Sequence, residues 1–382
     1  MNRLTTTIGR WVAPATAAFV LCAGAALAQD IRLGSVIPLS GAGASYGASI
    51  QQGLEMALGE INAQGGINGR KITLDVADDA ADPAQSVIAL QRLVNYGDDL
   101  VIGGWGSSQV LADMAVAERS GMPYIVVGAS NPQITTKANK WTFRTLTNDN
   151  GHADRLAQVI DLLKLKKIAI IYDTNDYGVG LRDIFTADIA KQGLKPVDVQ
   201  SYHTADKDFT PQLTHLAAAE PDGLMLFGTL PAIAAIMNQA RDQGIDARFM
   251  GAAGLSNEAV MKLAPQASQH AVATAYFHPD VDAEGKAWTE RFQKQFANAN
   301  QAPRPSQAAP AYEALKLIAA PCLAKVGTDK NKLRDCFKEW RGHLFGLPPA
   351  EAHFDDTNQL IAPLVVEEVV GTEFKLLAGA NR

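Results

Sequence analysis

From Ile31 onward, short β-branched runs alternate with longer amphipathic stretches, and the alternation is spelled out twice. Residues 31–37, 72–76, 100–102 and 124–127 read as strands, and residues 50–62 and 83–95 between them carry helical spacing. That order is the β-α-β rhythm of a parallel sheet covered by helices on both faces. It restarts after Arg144 with a helix over 151–163, a strand over 167–172, a helix over 180–192 and a strand over 196–202, and further strands follow at 224–227 and 248–250. Glycines punctuate the helix ends at Gly65-Gly66, Gly193 and Gly244, where left-handed caps are expected. Residues 300–310, with three prolines, read as a loop before a helix over 312–320. A chain of 382 residues exceeds one ordinary core, so two α/β domains laid end to end are predicted.

The N-terminus is of another kind. Arg3 and Arg10 precede an apolar run over 11–27 that closes on Ala26-Leu27-Ala28, the pattern of a secretory signal over residues 1–28 cut after Ala28. Pro14 and Thr16 interrupt the run and no basic flank follows it, which argues against a membrane anchor. Leu21 before Cys22 suits lipoprotein processing poorly. The signal carries two of the 34 Lys and Arg residues and none of the 40 acids, so the exported part has an excess of eight acids. An acidic chain without a basic tract excludes nucleic acid as the expected partner. Cys322 and Cys336 remain after cleavage, and an oxidising compartment favours a disulfide between them over two buried thiols. A loop of that size would contribute about 3 kcal/mol. Their spacing is not that of a zinc knuckle.

Three patterns that suggest catalysis or metal binding do not carry it. Gly43-Ala44-Ser45-Tyr46-Gly47 matches G-x-S-x-G, yet Pro38 to Ala42 separate the strand from Ser45, where a nucleophile elbow needs a direct strand-to-helix turn. The seven histidines form no metal-binding pair, so no metal and no cofactor are expected. Asp75, Asp78, Asp79 and Asp82 lack the glycine and terminal glutamate of a calcium loop, and Asp82 before Pro83 reads as a helix cap.

The informative segment is Leu100-Val101-Ile102-Gly103-Gly104-Trp105-Gly106-Ser107-Ser108. Glycines after a buried strand turn the backbone at the sheet's carboxyl edge and set Ser107 at the start of a helix over 109–119. Its hydroxyl and the free N–H groups of the first turn would meet an anion, with the helix dipole behind them; Ser107 as a plain helix cap is the competing reading. Gly128-Ala129-Ser130-Asn131-Pro132 repeats the arrangement after the next strand, and two such units converge on the crevice where open α/β sheets bind ligands.

At this point an ordered series of short motifs resembles the leucine/isoleucine/valine-binding proteins of ABC importers. It includes Pro38-Leu39-Ser40-Gly41 with Tyr46-Gly47, Gly65-Gly66-Ile67-Asn68-Gly69-Arg70, Asp82-Pro83, Phe143-Arg144-Thr145, Tyr172-Asp173 with Tyr177-Gly178, and Phe249-Met250-Gly251. The resemblance implies a type I periplasmic binding protein fold, two doubly wound parallel-sheet lobes joined by three crossing strands near residues 146–150, 275–278 and 348–351. Lobe one would be 29–147 plus 278–348, and lobe two 148–277 plus 349–382. It also implies that Ser107 and Ser130 hold a ligand carboxylate, that the Gly128 carbonyl accepts from an ammonium, that Tyr46 and Tyr177 close on the ligand, and that Trp105 lines the side-chain pocket. Two positions depart from the family pattern: Ala253 stands where an acid would meet the ammonium, and Leu230 where a tyrosine would form the rim. The expected function is a periplasmic, non-enzymatic solute-binding receptor that delivers a small carboxylate to a membrane permease. Its ligand is either an apolar amino acid, with Asp149 or Asp176 replacing the missing acid, or an amine-free organic acid. A sensor module of the same fold is the alternative.

Overall fold

A computed structural model of the chain describes Met1 and residues 29–136, 139–299 and 304–381. The expected signal segment lies outside the described residues apart from Met1. The first sheet is built from β1 (Ile31–Ile37), β2 (Ile72–Asp78), β3 (Leu100–Gly103), β4 (Tyr124–Val126) and β5 (Thr142–Arg144) in the order β2-β1-β3-β4-β5. Every neighbouring pair is parallel. Helices α1 (Ala44–Ala63), α2 (Pro83–Tyr96) and α3 (Ser107–Ser120) and the short α4 (Gln133–Thr136) connect them. β3 and β4 are buried throughout, as continuous apolar runs between two helical layers must be. Asp75 pairs with Arg32 at 2.6 Å, while Asp78 accepts from the Leu39, Ser40 and Ala80 N–H groups and Asp82 caps α2 at Ala84 N and Gln85 N, both 2.9 Å.

The second sheet contains β6 (Ile168–Asp173), β7 (Asp198–Tyr202), β8 (Gly223–Phe227), β9 (Arg248–Gly251) and β10 (Val272–Ala275). Helices α5 (Asp149–Leu163) and α6 (Asp176–Lys191) flank β6 in sequence. Three short strands, β11 (Arg341–Gly342), β12 (Ala352–Phe354) and β13 (Leu360–Ile361), make a separate sheet. β14 (Val365–Val370) and β15 (Glu373–Leu376) then extend the second sheet antiparallel, giving the order β15-β14-β10-β9-β8-β6-β7.

The third crossing falls later than the expected 348–351, which moves the boundary drawn at 348. Ala352, Phe354 and Leu360 belong to the apolar core of the first lobe, and Gln359 bridges Arg144 on β5. The chain leaves that lobe only between β13 and β14, at Ala362-Pro363-Leu364. Leu146, Tyr276 and Leu364, one from each crossing, pack into a small cluster that Ala253 joins, so the three connections share one apolar hinge. Of the loop expected over 300–310, residues 300–303 lie outside the described residues and the later part departs from it: a helix begins at Pro305 and runs to Glu313 with Pro310 inside it. Its backbone lies so close on α1 that a Cβ at Gly53 would stand 2.2 Å from the Ala308 carbonyl oxygen. Cys322 and Cys336 are joined by a disulfide between the helices Ala320–Val326 and Lys330–Glu339.

Candidate functional site

Two strand-to-helix turns at the carboxyl edge of the first sheet build the centre of the interlobe crevice. After β3 the chain turns at Gly104, whose φ of +71° and lack of Cβ are both required, since a Cβ there would approach the Tyr124 hydroxyl to 2.5 Å. Gly106 is the N-cap of α3 and offers no side-chain cap, so Ser107 is the first helical residue and not the cap. The first-turn N–H groups are therefore left for an incoming acceptor. The Ser107 oxygen accepts from the Asn131 N–H at 3.3 Å, which leaves the hydroxyl proton to donate. After β4, a Cβ at Gly128 would stand 2.7 Å from the Trp105 Cα, so only glycine lets the two turns approach this closely. Ser107 and Ser130 are each 3 % exposed.

The crevice encloses a cavity of about 260 Å³ lined by seven of the eight expected residues. Tyr46, Trp105, Ser107, Gly128 and Ser130 face it from the first lobe, and Tyr177 and Ala253 from the second. Leu230 does not. Its side chain is buried in the core of the second lobe and Thr229 lines the cavity instead, while the Leu230 N–H donates to the Tyr46 hydroxyl at 3.0 Å. That hydroxyl in turn donates to the Gly254 carbonyl at 2.9 Å, and burial pushes its pKa up to about 12. Tyr46 stacks on Trp105 with ring centroids 4.9 Å apart, which gives the cavity a flat aromatic wall. Sequence reasoning missed Tyr276, Asn175, Thr204, Thr229 and Gln307 in the lining.

No Asp, Glu, Lys, Arg or His lines this cavity among the described residues. Asp176 is engaged by the Ser108 hydroxyl at 2.6 Å, so it latches the lobes and does not face the cavity. Asp149 lies fully buried at the start of α5, its N–H donating to the Ser130 carbonyl at 3.0 Å. Burial raises its carboxyl to about 7, partly offset by Ser130 and the Arg144 charge. Arg144 is buried as well and binds the Asn131 carbonyl at 2.6 Å, Gln359 at 2.7 Å and Thr135 at 3.0 Å, pinning the loop that carries Ser130. The Tyr276 hydroxyl lies toward Ser130 and the Tyr177 hydroxyl toward the backbone of Gly254, neither within hydrogen-bonding geometry. The site thus offers hydroxyl and helix-terminus donors, two unpartnered phenols and an aromatic wall.

The sequence matches the periplasmic binding protein family model over residues 30–373. The chain belongs to this family. As a periplasmic binding protein it is 30 % identical, over 334 residues, to a leucine-, isoleucine-, valine-, threonine- and alanine-binding protein of Pseudomonas aeruginosa, covering 87 % of this chain and 88 % of that one. Its fold matches a leucine binding protein, LivK, of Thermotoga maritima with a TM-score of 0.82 at 21 % identity, covering 91 % of this chain and 98 % of that one. It matches equally, with a TM-score of 0.82, a solute binding protein of an ABC transporter from R. palustris in complex with benzoate, at 20 % identity over 92 % of this chain and 96 % of that one. This is the type I periplasmic binding protein fold, and the chain is a solute-binding protein of the branched-chain-amino-acid ABC type. Ser45, the residue of the G-x-S-x-G match, sits inside the first turn of α1 behind a turn over Gly41–Gly43, away from any direct strand-to-helix elbow.

Proposed function

We propose that this periplasmic binding protein is the receptor of an ABC importer, exported to the periplasm, and that it closes over a small amine-free organic carboxylate with an aromatic or other flat apolar body. The carrying observation is a cavity whose lining has donors for a carboxylate, at Ser107, Ser130 and the open first turn of α3, but no carboxylate for an ammonium. Burying an α-ammonium without an acid costs several kcal/mol, whereas a carboxylate at a helix N-terminus is stabilised. The stacked Trp105 and Tyr46 suit a flat ligand body. The benzoate complex of the R. palustris relative supports such a ligand for this fold. Binding closes the lobes and presents them to a membrane permease; no covalent chemistry and no cofactor are involved.

A second reading, an apolar amino acid, is favoured by the Pseudomonas relative. It requires Asp149, raised toward neutrality behind Ser130, to ionise and serve the ammonium. A thermal-shift panel of leucine, phenylalanine, 4-hydroxybenzoate and phenylpyruvate separates the two. The amine-free acids are expected to stabilise the protein at least as much as the amino acids, and Ala253→Glu is expected to reverse that order by supplying the missing charge. Strong stabilisation by leucine alone overturns the amine-free reading.

A further inference from the structure

A second cavity, of about 520 Å³, opens along the seam between the lobes. The contacts that close the seam separate it from the first: Gln307 lines the ligand cavity and its neighbour Ser306 lines this one. Across the seam the Ser256 carbonyl accepts from the Gln307 side-chain amide at 2.5 Å and from the Ser306 hydroxyl at 3.4 Å, and Glu258 accepts from the Ser306 N–H at 3.3 Å. Glu258 and Glu367 line the second-lobe wall. Glu367 is 1 % exposed and its Oε1 has no hydrogen-bond partner, and Oε2 of Glu258 has none either. From the first lobe Thr289, 7 % exposed, brings an equally unpartnered Oγ1. Burial pushes both carboxyls above the ordinary glutamate value; the Ser256 side chain eases Glu367 and the neighbouring Glu258 pushes it further. Arg304 and Lys262 also line the cavity; the Arg304 charge eases Glu258, and its Nη1 donates to the Ser45 carbonyl at 2.8 Å.

Unpartnered oxygens on both walls, Glu258 Oε2 and Glu367 Oε1 on one and Thr289 Oγ1 on the other, with Phe277 and Phe374 also in the lining, describe a place for a compact group rich in N–H donors carried on an apolar stem. An inorganic ion fits less well, because no cluster of three or more metal-ligating side chains exists among the described residues. We infer that the seam cavity is a second binding site, for a small organic ammonium ion that donates to Glu258 and Glu367 of one lobe and Thr289 of the other. Bound there, the ion bridges the lobes and favours their closed arrangement.

The test is calorimetric titration of n-butylamine, putrescine and, in parallel, calcium chloride into the purified protein at constant ionic strength, with no carboxylate present. Its outcome is therefore independent of what the first cavity holds. Saturable binding of the amines is expected, weakened at least about ten-fold by Glu367→Gln, which removes one charge-assisted bond. Glu258→Gln gives the same test if the first variant folds poorly. No saturable heat with either amine, amine binding unchanged in both variants, or binding of calcium alone overturns the proposal.

Discussion

Ser107 and Ser130 are each the polar residue that follows a glycine-bearing turn at the end of a buried strand, and that local pattern is what made them legible. Turn chemistry acts over a few residues, so the sequence carries it intact. Tyr276 and Thr229 reach the same cavity from a crossing segment and a second-lobe loop, more than ninety residues beyond Ser130, and no local pattern marks them. Leu230 was misplaced by one residue, since nothing in its neighbourhood says whether it or Thr229 faces the crevice. The two serines give a direct prediction. Ser107→Ala or Ser130→Ala removes a buried donor to the ligand carboxylate and is expected to weaken 4-hydroxybenzoate binding by about 1–3 kcal/mol. Ser107→Ala also leaves the buried Asn131 N–H without its acceptor, so the free protein should melt a few degrees lower while staying folded, and affinity is compared at a temperature well below that transition. Calorimetry showing full affinity in both variants would remove the carboxylate site from this crevice.

Elements dock through contacts that periodicity does not announce. The helix Pro305–Glu313 was hidden by its prolines, although Pro305 occupies the first helical position, where a missing N–H costs nothing, and buried alanines press the helix onto α1. Tertiary packing decided that segment over local propensity. Another such contact joins α2, α3 and β4: Asp113 of α3, fully buried, accepts from the Ser86 hydroxyl of α2 at 2.7 Å and the Tyr124 hydroxyl of β4 at 3.2 Å. Burial raises its carboxyl to about 7, the two donors holding the rise in check and the Asp79 charge adding to it. An acid with a folded pKa above its unfolded value of about 3.9 keeps its proton in the native state after the unfolded chain has lost it. Stability therefore falls as pH rises from about 4 to about 7, and levels off above. For this one group the loss between pH 6 and pH 8 is on the order of 1 kcal/mol. Asp113→Asn is expected to flatten that part of the profile. Scanning calorimetry at pH 6, 7 and 8 checks it, and an identical pH slope in the variant would count against a protonated Asp113.

At the scale of the whole molecule, the two lobes were legible because each is a self-contained strand-helix rhythm, and the third crossing was not, because β11 to β13 are too short to show a period. The structure is closed. Besides the Ser108–Asp176 bond, the Asn131 side-chain amide reaches the Asp176 carbonyl at 2.7 Å, and Tyr46 of the first lobe ties itself to Gly254 and Leu230 of the second. Those two bonds exist only when the lobes meet, and opening returns Tyr46, Gly254 and Leu230 to water. The ring stacks on Trp105 within the first lobe, so it is the hydroxyl that ties this tyrosine to the closed state. Tyr46→Phe keeps the ring and removes the hydroxyl, leaving the Leu230 N–H without its acceptor on closure. The closed state should lose about 1–2 kcal/mol, and since closure accompanies binding, affinity should fall about ten-fold. The loss should appear as faster dissociation, because the encounter with the open crevice is unchanged. Stopped-flow measurement of both rate constants decides the point: an unchanged dissociation rate in Tyr46→Phe would show that this hydroxyl does not hold the lobes together.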